Sequence, residues 1–105
     1  MMHMSTIAVT KSNIESKILS SEKTIILEFW AKWSESCKLV SPILEELAKE
    51  CPNILIGKVN VDYEPELARA YGIVSLPTLV VIKDGKVTNK IVGSQSKEDL
   101  IDILL

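Results

Sequence analysis

Hydrophobic and polar residues alternate along the chain in patterns that separate strands from helices. Thr24–Trp30 and residues 54–61 are apolar, rich in β-branched side chains and bounded by polar residues, as expected of buried strands. Between them, apolar residues recur every three or four positions over residues 34–50, which predicts an amphipathic helix. Strand, helix and strand in this order are typical of a parallel βαβ unit.

Two further strands are predicted to form a hairpin. Thr78–Lys83 and Lys86–Val92 are joined by Asp84-Gly85, one of the strongest dipeptide signals for a tight turn. These strands must therefore be antiparallel. Together with the βαβ unit they predict an α/β domain, with a central mixed sheet and helices on both faces.

The remaining elements are predicted from short signals. Ser12 and Glu15 have the spacing of a capping box, which predicts a short helix near the N-terminus. End signals also predict a helix over residues 66–71 and a last helix after Ser96. A first strand is expected at residues 6–9.

The length of the chain allows one domain. With 105 residues, of which 47% are hydrophobic, there is material for a single core and no room for a second. Residues 1–4, Met-Met-His-Met, are interpreted as a cloning-derived or disordered tail, and residues 5–105 as the domain. The single histidine, His3, falls in that tail and is not expected to act as a catalytic base.

Charge and hydropathy argue against two classes of partner. The formal net charge is −2 and the 12 Lys and Arg residues are scattered, so no basic patch for nucleic acid is expected. The apolar stretches are far shorter than the ~20 residues that span a bilayer, so no membrane association is expected. The N-terminal residues lack the features of a secretory signal, which favours a cytoplasmic protein.

The two cysteines exclude other kinds of site. Cys37 and Cys51 are too few for a disulfide framework. With one histidine they also cannot supply the four ligands of a structural zinc site, so neither a metal nor another cofactor is expected. Cys51 lies on the apolar stripe of its helix and is interpreted as an inert hydrophobic residue.

Several motifs agree in order and spacing between about residues 25 and 93. They are Phe29-Trp30-Ala31-Lys32-Trp33, Cys37-Lys38, Pro42, Val59-Asn60-Val61-Asp62, Pro65-Glu66-Leu67-Ala68, Tyr71-Gly72-Ile73, Leu76-Pro77-Thr78 and Gly93. Together they resemble the thioredoxin family, and the order of elements extends the resemblance to nearly the whole chain. The resemblance implies a thioredoxin fold and a protein-disulfide oxidoreductase that serves cell redox homeostasis and electron transport.

The resemblance also locates the chemistry, at Trp33-Ser34-Glu35-Ser36-Cys37. The family motif is Trp-Cys-x-x-Cys, in which the first cysteine attacks a target disulfide as a thiolate and the second resolves the mixed disulfide. Here Cys37 stands at the resolving position, but Ser34 stands at the nucleophile position. A serine hydroxyl is almost wholly protonated at neutral pH and cannot form the internal disulfide, so this chain is expected to be redox-inactive.

Two interpretations of Ser34 stay open. Serine is a good N-terminal helix residue, and Ser34 could cap the helix in a site that has decayed. Alternatively, it replaces a native cysteine, of which it is the nearest isostere. The first leads to a redox-dead module that binds extended peptides or partner proteins. The second leads to an oxidoreductase whose parent passes electrons from a thioredoxin reductase to disulfide-containing proteins. In either case a monomer is expected.

Other site residues follow from strand parity and from the resemblance. Glu28 lies on the same strand face as Ile26, and Lys58 on the same face as Ile56, so both charges are predicted to point inward on neighbouring strands. The resemblance implies that Glu28 transfers protons for the resolving cysteine. A purely structural ion pair with Lys58 is the alternative. The resemblance further implies a substrate groove with a cis-proline, lined by Trp33, Ser75, Leu76, Pro77 and Gly93.

Overall fold

One mixed sheet of five strands organises the computed structural model, which describes residues 6–104. In spatial order the strands are β1, β3, β2, β4 and β5. Both β1 and β2 run parallel to β3, β4 is antiparallel to β2, and β5 is antiparallel to β4. The strands are β1 (Thr6–Ala8), β2 (Thr24–Trp30), β3 (Ile54–Asn60), β4 (Thr78–Lys83) and β5 (Lys86–Val92).

Helices cover both faces of the sheet. They are α1 (Glu35–Glu50), α2 (Pro65–Ala70), α3 (Lys97–Leu104) and a short π-helical segment, Glu15–Leu19. Buried residues of α1 and α3 pack with Ile26 and Ile56 on one face. The π-helical segment and α2 pack on the other face, against Phe29 and its neighbours. The predicted α/β architecture and the predicted strand at residues 6–9 are thus confirmed, whereas the tail at residues 1–4 lies outside the described residues.

The capping box predicted at Ser12 is wrong. Asn13 takes over the local hydrogen bonds: its side-chain oxygen accepts from the backbone N–H of Thr10 at 2.8 Å, and its amide donates to the carbonyl of Ala8 at 3.0 Å. The Ser12 hydroxyl instead pairs with that of Thr10 at 2.9 Å. The helical segment begins after Ile14 without a side-chain cap. A local side-chain turn has therefore displaced the helix start.

The other end signals behave as predicted. Asp84 and Gly85 have φ values of 52° and 75°, the positive angles that a tight two-residue hairpin turn requires. Gly72 has φ 67° just after α2, where a left-handed residue closes a helix. The Ser96 hydroxyl accepts the backbone N–H of Asp99 at 3.1 Å and so caps α3.

Strand register places the site residues at one end of the sheet. Phe29 near the end of β2 lies opposite Thr78 at the start of β4, and Thr78 also lies opposite Val92 near the end of β5. The turn that leads into α1, the segment before β4 and the residue after β5 therefore emerge from the same end. Within residues 6–104 no helix is long and apolar enough to cross a membrane.

Candidate active site

The turn from β2 into α1 carries the Ser34 to Cys37 motif. The backbone N–H of Ser34 donates to the carbonyl of Ala31 at 3.2 Å, which closes the turn. Ser34 then occupies the N-cap position of α1 in an extended conformation, but its side chain makes no capping hydrogen bond. The capping hydrogen bond expected of Ser34 is therefore not formed, although the residue stands at the N-cap position, and the hydroxyl does not satisfy the free N–H groups of the first turn.

Cys37 lies in the first turn of α1 and faces the interior. Its side chain is 2% exposed, and Ser34, three residues earlier on the same side of the helix, is 8% exposed. The two residues between them are exposed, and Glu35 forms an ion pair with Lys38 at 2.8 Å. That hydrogen bond lowers the pKa of the Glu35 carboxyl. The turn thus places an inner pair of positions, Ser34 and Cys37, on its buried side and the charged pair Glu35 and Lys38 on its exposed side.

Glu28 and Lys58 are neighbours on β2 and β3, as strand parity predicts. The side chain of Glu28 is 1% exposed, and its Oε1 lies 3.9 Å from Nζ of Lys58. Its Oε2 accepts a hydrogen bond of 2.5 Å from the hydroxyl of Ser41 on α1. Burial raises the pKa of Glu28, while Ser41 and Lys58 oppose the rise and the nearby Glu45 adds to it.

A cavity of about 290 Å³ is lined by Lys58, by Ser41 and by Cys37 of the motif. The ammonium of Lys58 lies 5.3 Å from the centroid of the Trp30 ring, a distance suited to a cation–π contact. The cavity therefore brings a thiol, a hydroxyl and an ammonium group to one space. Its lining residues are Trp30, Ala31, Lys32, Cys37, Lys38, Ser41, Pro42 and Lys58.

The segment before β4 and the residue after β5 are joined at the same end of the sheet. The Leu76–Pro77 peptide bond is cis. The carbonyl of Pro77 accepts the backbone N–H of Gly93 at 2.9 Å, and Ser75 accepts the Thr78 hydroxyl through its own carbonyl at 2.6 Å. Ser75 is exposed and Leu76 is half-buried, so this segment presents part of its length to solvent.

Trp33 projects from the turn before α1 with 68% of its surface exposed. Its indole N–H donates to Oδ2 of Asp62, just after β3, at 3.1 Å. Asp62 was not predicted as a site residue, and neither was Ser41. Each acts through a partner on another element, so strand parity does not reveal it. The only sequence signal for Ser41 is its position four residues after Cys37, on the same helix face.

Half-buried Cys51 is separate from this site. Cys51 follows the last residue of α1, so the whole 16-residue helix separates it from Ser34. It packs at the margin of the core formed by α1 and α3. Cys37 and Cys51 are both free thiols. The motif therefore holds one thiol, with no second cysteine beside it.

The fold and site define a protein of the thioredoxin class. The family model described as Thioredoxin matches residues 5–105. Thioredoxin of Mycobacterium tuberculosis is 42% identical over 97 residues, which are 91% of this chain and 84% of that protein. Thioredoxin of Staphylococcus epidermidis is 43% identical over 102 residues, which are 96% of each chain. The chain belongs to the thioredoxin family.

A further relative combines two proteins in one chain. The bifunctional thioredoxin reductase/thioredoxin of Mycobacterium leprae is 41% identical over 97 residues, which are 91% of this chain and 21% of that protein. The match covers a small part of that longer relative.

Proposed function

We propose that this chain is a thioredoxin-type thiol–disulfide oxidoreductase domain whose nucleophile position holds Ser34, so that it does not run the dithiol cycle. The observation that carries the proposal is the inner pair of positions at the start of α1. Cys37 occupies the second with a buried thiol, and a serine that caps nothing occupies the first. An oxygen at that position neither attacks sulfur usefully nor forms an internal disulfide.

The missing step follows from the chemistry of exchange. A thiolate at position 34 would attack one sulfur of a target disulfide, form a mixed disulfide and release the other target sulfur as a thiolate. Cys37 would then attack the sulfur at position 34, release the second target thiolate and leave a disulfide between positions 34 and 37. With Ser34 the first bond does not form. Cys37 alone has no neighbouring thiol to complete the exchange.

The surrounding groups support the same proposal. We assign Glu28, paired with Lys58, to proton transfer for Cys37, because its buried carboxyl contacts Ser41 and Lys58, which line a cavity together with Cys37. We assign Trp33 and the segment Ser75, Leu76, Pro77 with Gly93 to the binding of an extended substrate strand. The hydrogen bond from Gly93 to Pro77 supports this grouping.

The proposed partners are of two kinds. Substrates are proteins with a disulfide or an extended segment, and a thioredoxin reductase would supply electrons to a form with two thiols. The relative that joins a thioredoxin reductase to a thioredoxin supports the second partner. Two free thiols suit a reducing compartment, so we place the chain in the cytoplasm. We also propose that the chain acts as a monomer.

A second function is a peptide-binding module without redox activity. The observation that favours it is exposed apolar surface around the site: Trp33 is 68% exposed, Val74 93% and Val92 54%. Such surface serves binding without any thiol. Under this alternative serine is the native residue at position 34, and the Ser34→Cys variant does not reduce disulfides.

Oxidation of single variants tests the proposed arrangement. The Ser34→Cys variant should form an internal disulfide with Cys37 under mild oxidation, detected by mass spectrometry after alkylation. The unmodified chain should keep both thiols. The matched control is Ser36→Cys, an exposed position in the same turn, which should form no internal disulfide with its immediate neighbour. Failure of Ser34→Cys to pair with Cys37, or an intramolecular Cys37–Cys51 bond in the unmodified chain, would overturn the proposal.

A further inference from the structure

Ser41 links α1 to the buried carboxyl of Glu28. It lies one helical turn after Cys37, and its hydroxyl donates the 2.5 Å hydrogen bond to Oε2 of Glu28. The bond crosses from the helix to the central strand β2. Hydrogen bonds to an ionised carboxylate at this distance are among the strong ones in proteins.

Little else holds the carboxyl of Glu28. Its Oε1 accepts no hydrogen bond from any residue within positions 6–104. Nζ of Lys58 is 3.9 Å away, beyond hydrogen-bonding distance. Glu45, on α1, is a further charged group near Glu28, and it opposes ionisation. Ser41 therefore fixes the direction in which the carboxyl points.

Ser41 also shares a space with the thiol. Cys37 and Ser41 are four residues apart on α1 and so lie on one helix face. Both line the cavity of about 290 Å³, together with Lys58. The hydroxyl that holds the Glu28 carboxyl therefore borders the same space as the thiol of Cys37.

We propose that Ser41 is a positioning residue, which holds the Glu28 carboxyl toward this cavity and thereby couples its ionisation to that of Cys37. The inference rests on the proposed function, in which Glu28 serves Cys37. When Cys37 becomes a thiolate beside a protonated Glu28, the carboxyl proton passes to the sulfur and leaves a carboxylate and a thiol. The reverse transfer frees the thiolate. No oxidant or reductant takes part.

The test follows the thiolate of Cys37 by its ultraviolet absorbance as pH is varied. All variants carry Cys51→Ser, so that Cys37 is the only thiol. The starting chain should show a step linked to Glu28, and Glu28→Gln should remove that step. Ser41→Ala should move the step to higher pH, because the hydrogen bond that stabilises the carboxylate is lost. Ser41→Thr, which keeps a hydroxyl, should return the step toward its original position.

Two further variants separate positioning from packing. Ser36→Ala, an exposed serine on the same helix that lies off the cavity, should leave the step in place. In the Glu28→Gln background, Ser41→Ala should have no further effect on the titration. A step unchanged by Ser41→Ala, or a shift that persists without Glu28, would overturn the inference. The titration involves no disulfide, so its outcome is independent of whether Ser34→Cys forms one.

Discussion

Glu28 on β2 lies directly beside Lys58 on β3, yet Oε1 of Glu28 and Nζ of Lys58 are 3.9 Å apart. The carboxyl is buried, whereas the side chain of Lys58 is 26% exposed. Burial disfavours the carboxylate more than the hydrogen bond from Ser41 and the charge of Lys58 favour it, so the pKa of Glu28 is raised. The buried carboxyl thus faces a partly exposed ammonium group at more than hydrogen-bonding distance.

The first prediction concerns stability as a function of pH. Because the pKa of Glu28 is higher in the folded chain than its ordinary value of 4.5, the folded state binds more protons between those two values. The free energy of unfolding therefore loses a contribution as pH rises through this window, and the loss is complete above the raised pKa. The Glu28→Gln variant should match the unmodified chain below the window and have a larger free energy of unfolding at higher pH, because glutamine has no charge to desolvate.

Urea unfolding at a series of pH values measures this difference. The control is Glu22→Gln, which replaces an exposed glutamate and should give no such window. A Glu28→Gln variant that is less stable than the unmodified chain at neutral pH would show that the charged carboxylate stabilises the fold.

The second prediction concerns the accessibility of Cys37. Its thiol is 2% exposed, so alkylation in the native state requires local opening. At neutral pH we expect labelling at least roughly 100-fold slower than in the urea-unfolded chain, since such openings are rare. Mass spectrometry over time measures both rates, and a Cys37→Ser variant identifies the signal of Cys51. Native labelling of Cys37 as fast as in the unfolded chain would contradict the buried placement.

The third prediction concerns the exposed indole of Trp33. Large exposed aromatic residues at binding surfaces often contribute about 2 kcal/mol or more. Trp33→Ala should therefore weaken binding of an extended peptide, such as alkylated insulin B chain, by roughly 30-fold. The control is Val87→Ala, because Val87 is 53% exposed but pairs with Ile82 at the opposite end of the sheet. Equal effects of the two variants in a fluorescence titration would remove Trp33 from the binding surface.

Much of the fold is local enough to be predicted from sequence. The turn at Asp84-Gly85 needs only its own positive φ angles, and strand parity alone places Glu28 and Lys58 on one inner face. Ser96 caps α3 by accepting the backbone N–H of Asp99 three residues later, a contact that its spacing predicts. Ser12 does not act in the same role, because its hydroxyl pairs with that of Thr10. Competition between adjacent polar side chains is not visible in spacing alone.

The motif of the candidate site is visible in the sequence, whereas two of its contacts are not. Ser34 and Cys37 are only three positions apart in the sequence, so the motif is visible without a fold. Ser41 and Asp62 become significant only once α1 packs on β2 and the turn before α1 meets the end of β3. Side-chain distances across elements depend on packing, which a single sequence does not specify.

Reduction of insulin by dithiothreitol tests most directly the proposal that Ser34 replaces the attacking thiol of this thioredoxin-type site. Turbidity should rise no faster with the unmodified chain than with dithiothreitol alone, whereas Ser34→Cys should accelerate it. Ser34→Cys/Cys37→Ser should lose turnover, because nothing resolves the mixed disulfide. Acceleration by the unmodified chain would contradict the assignment of Ser34. A folded Ser34→Cys variant that forms its internal disulfide and still gives no acceleration would favour the peptide-binding module instead.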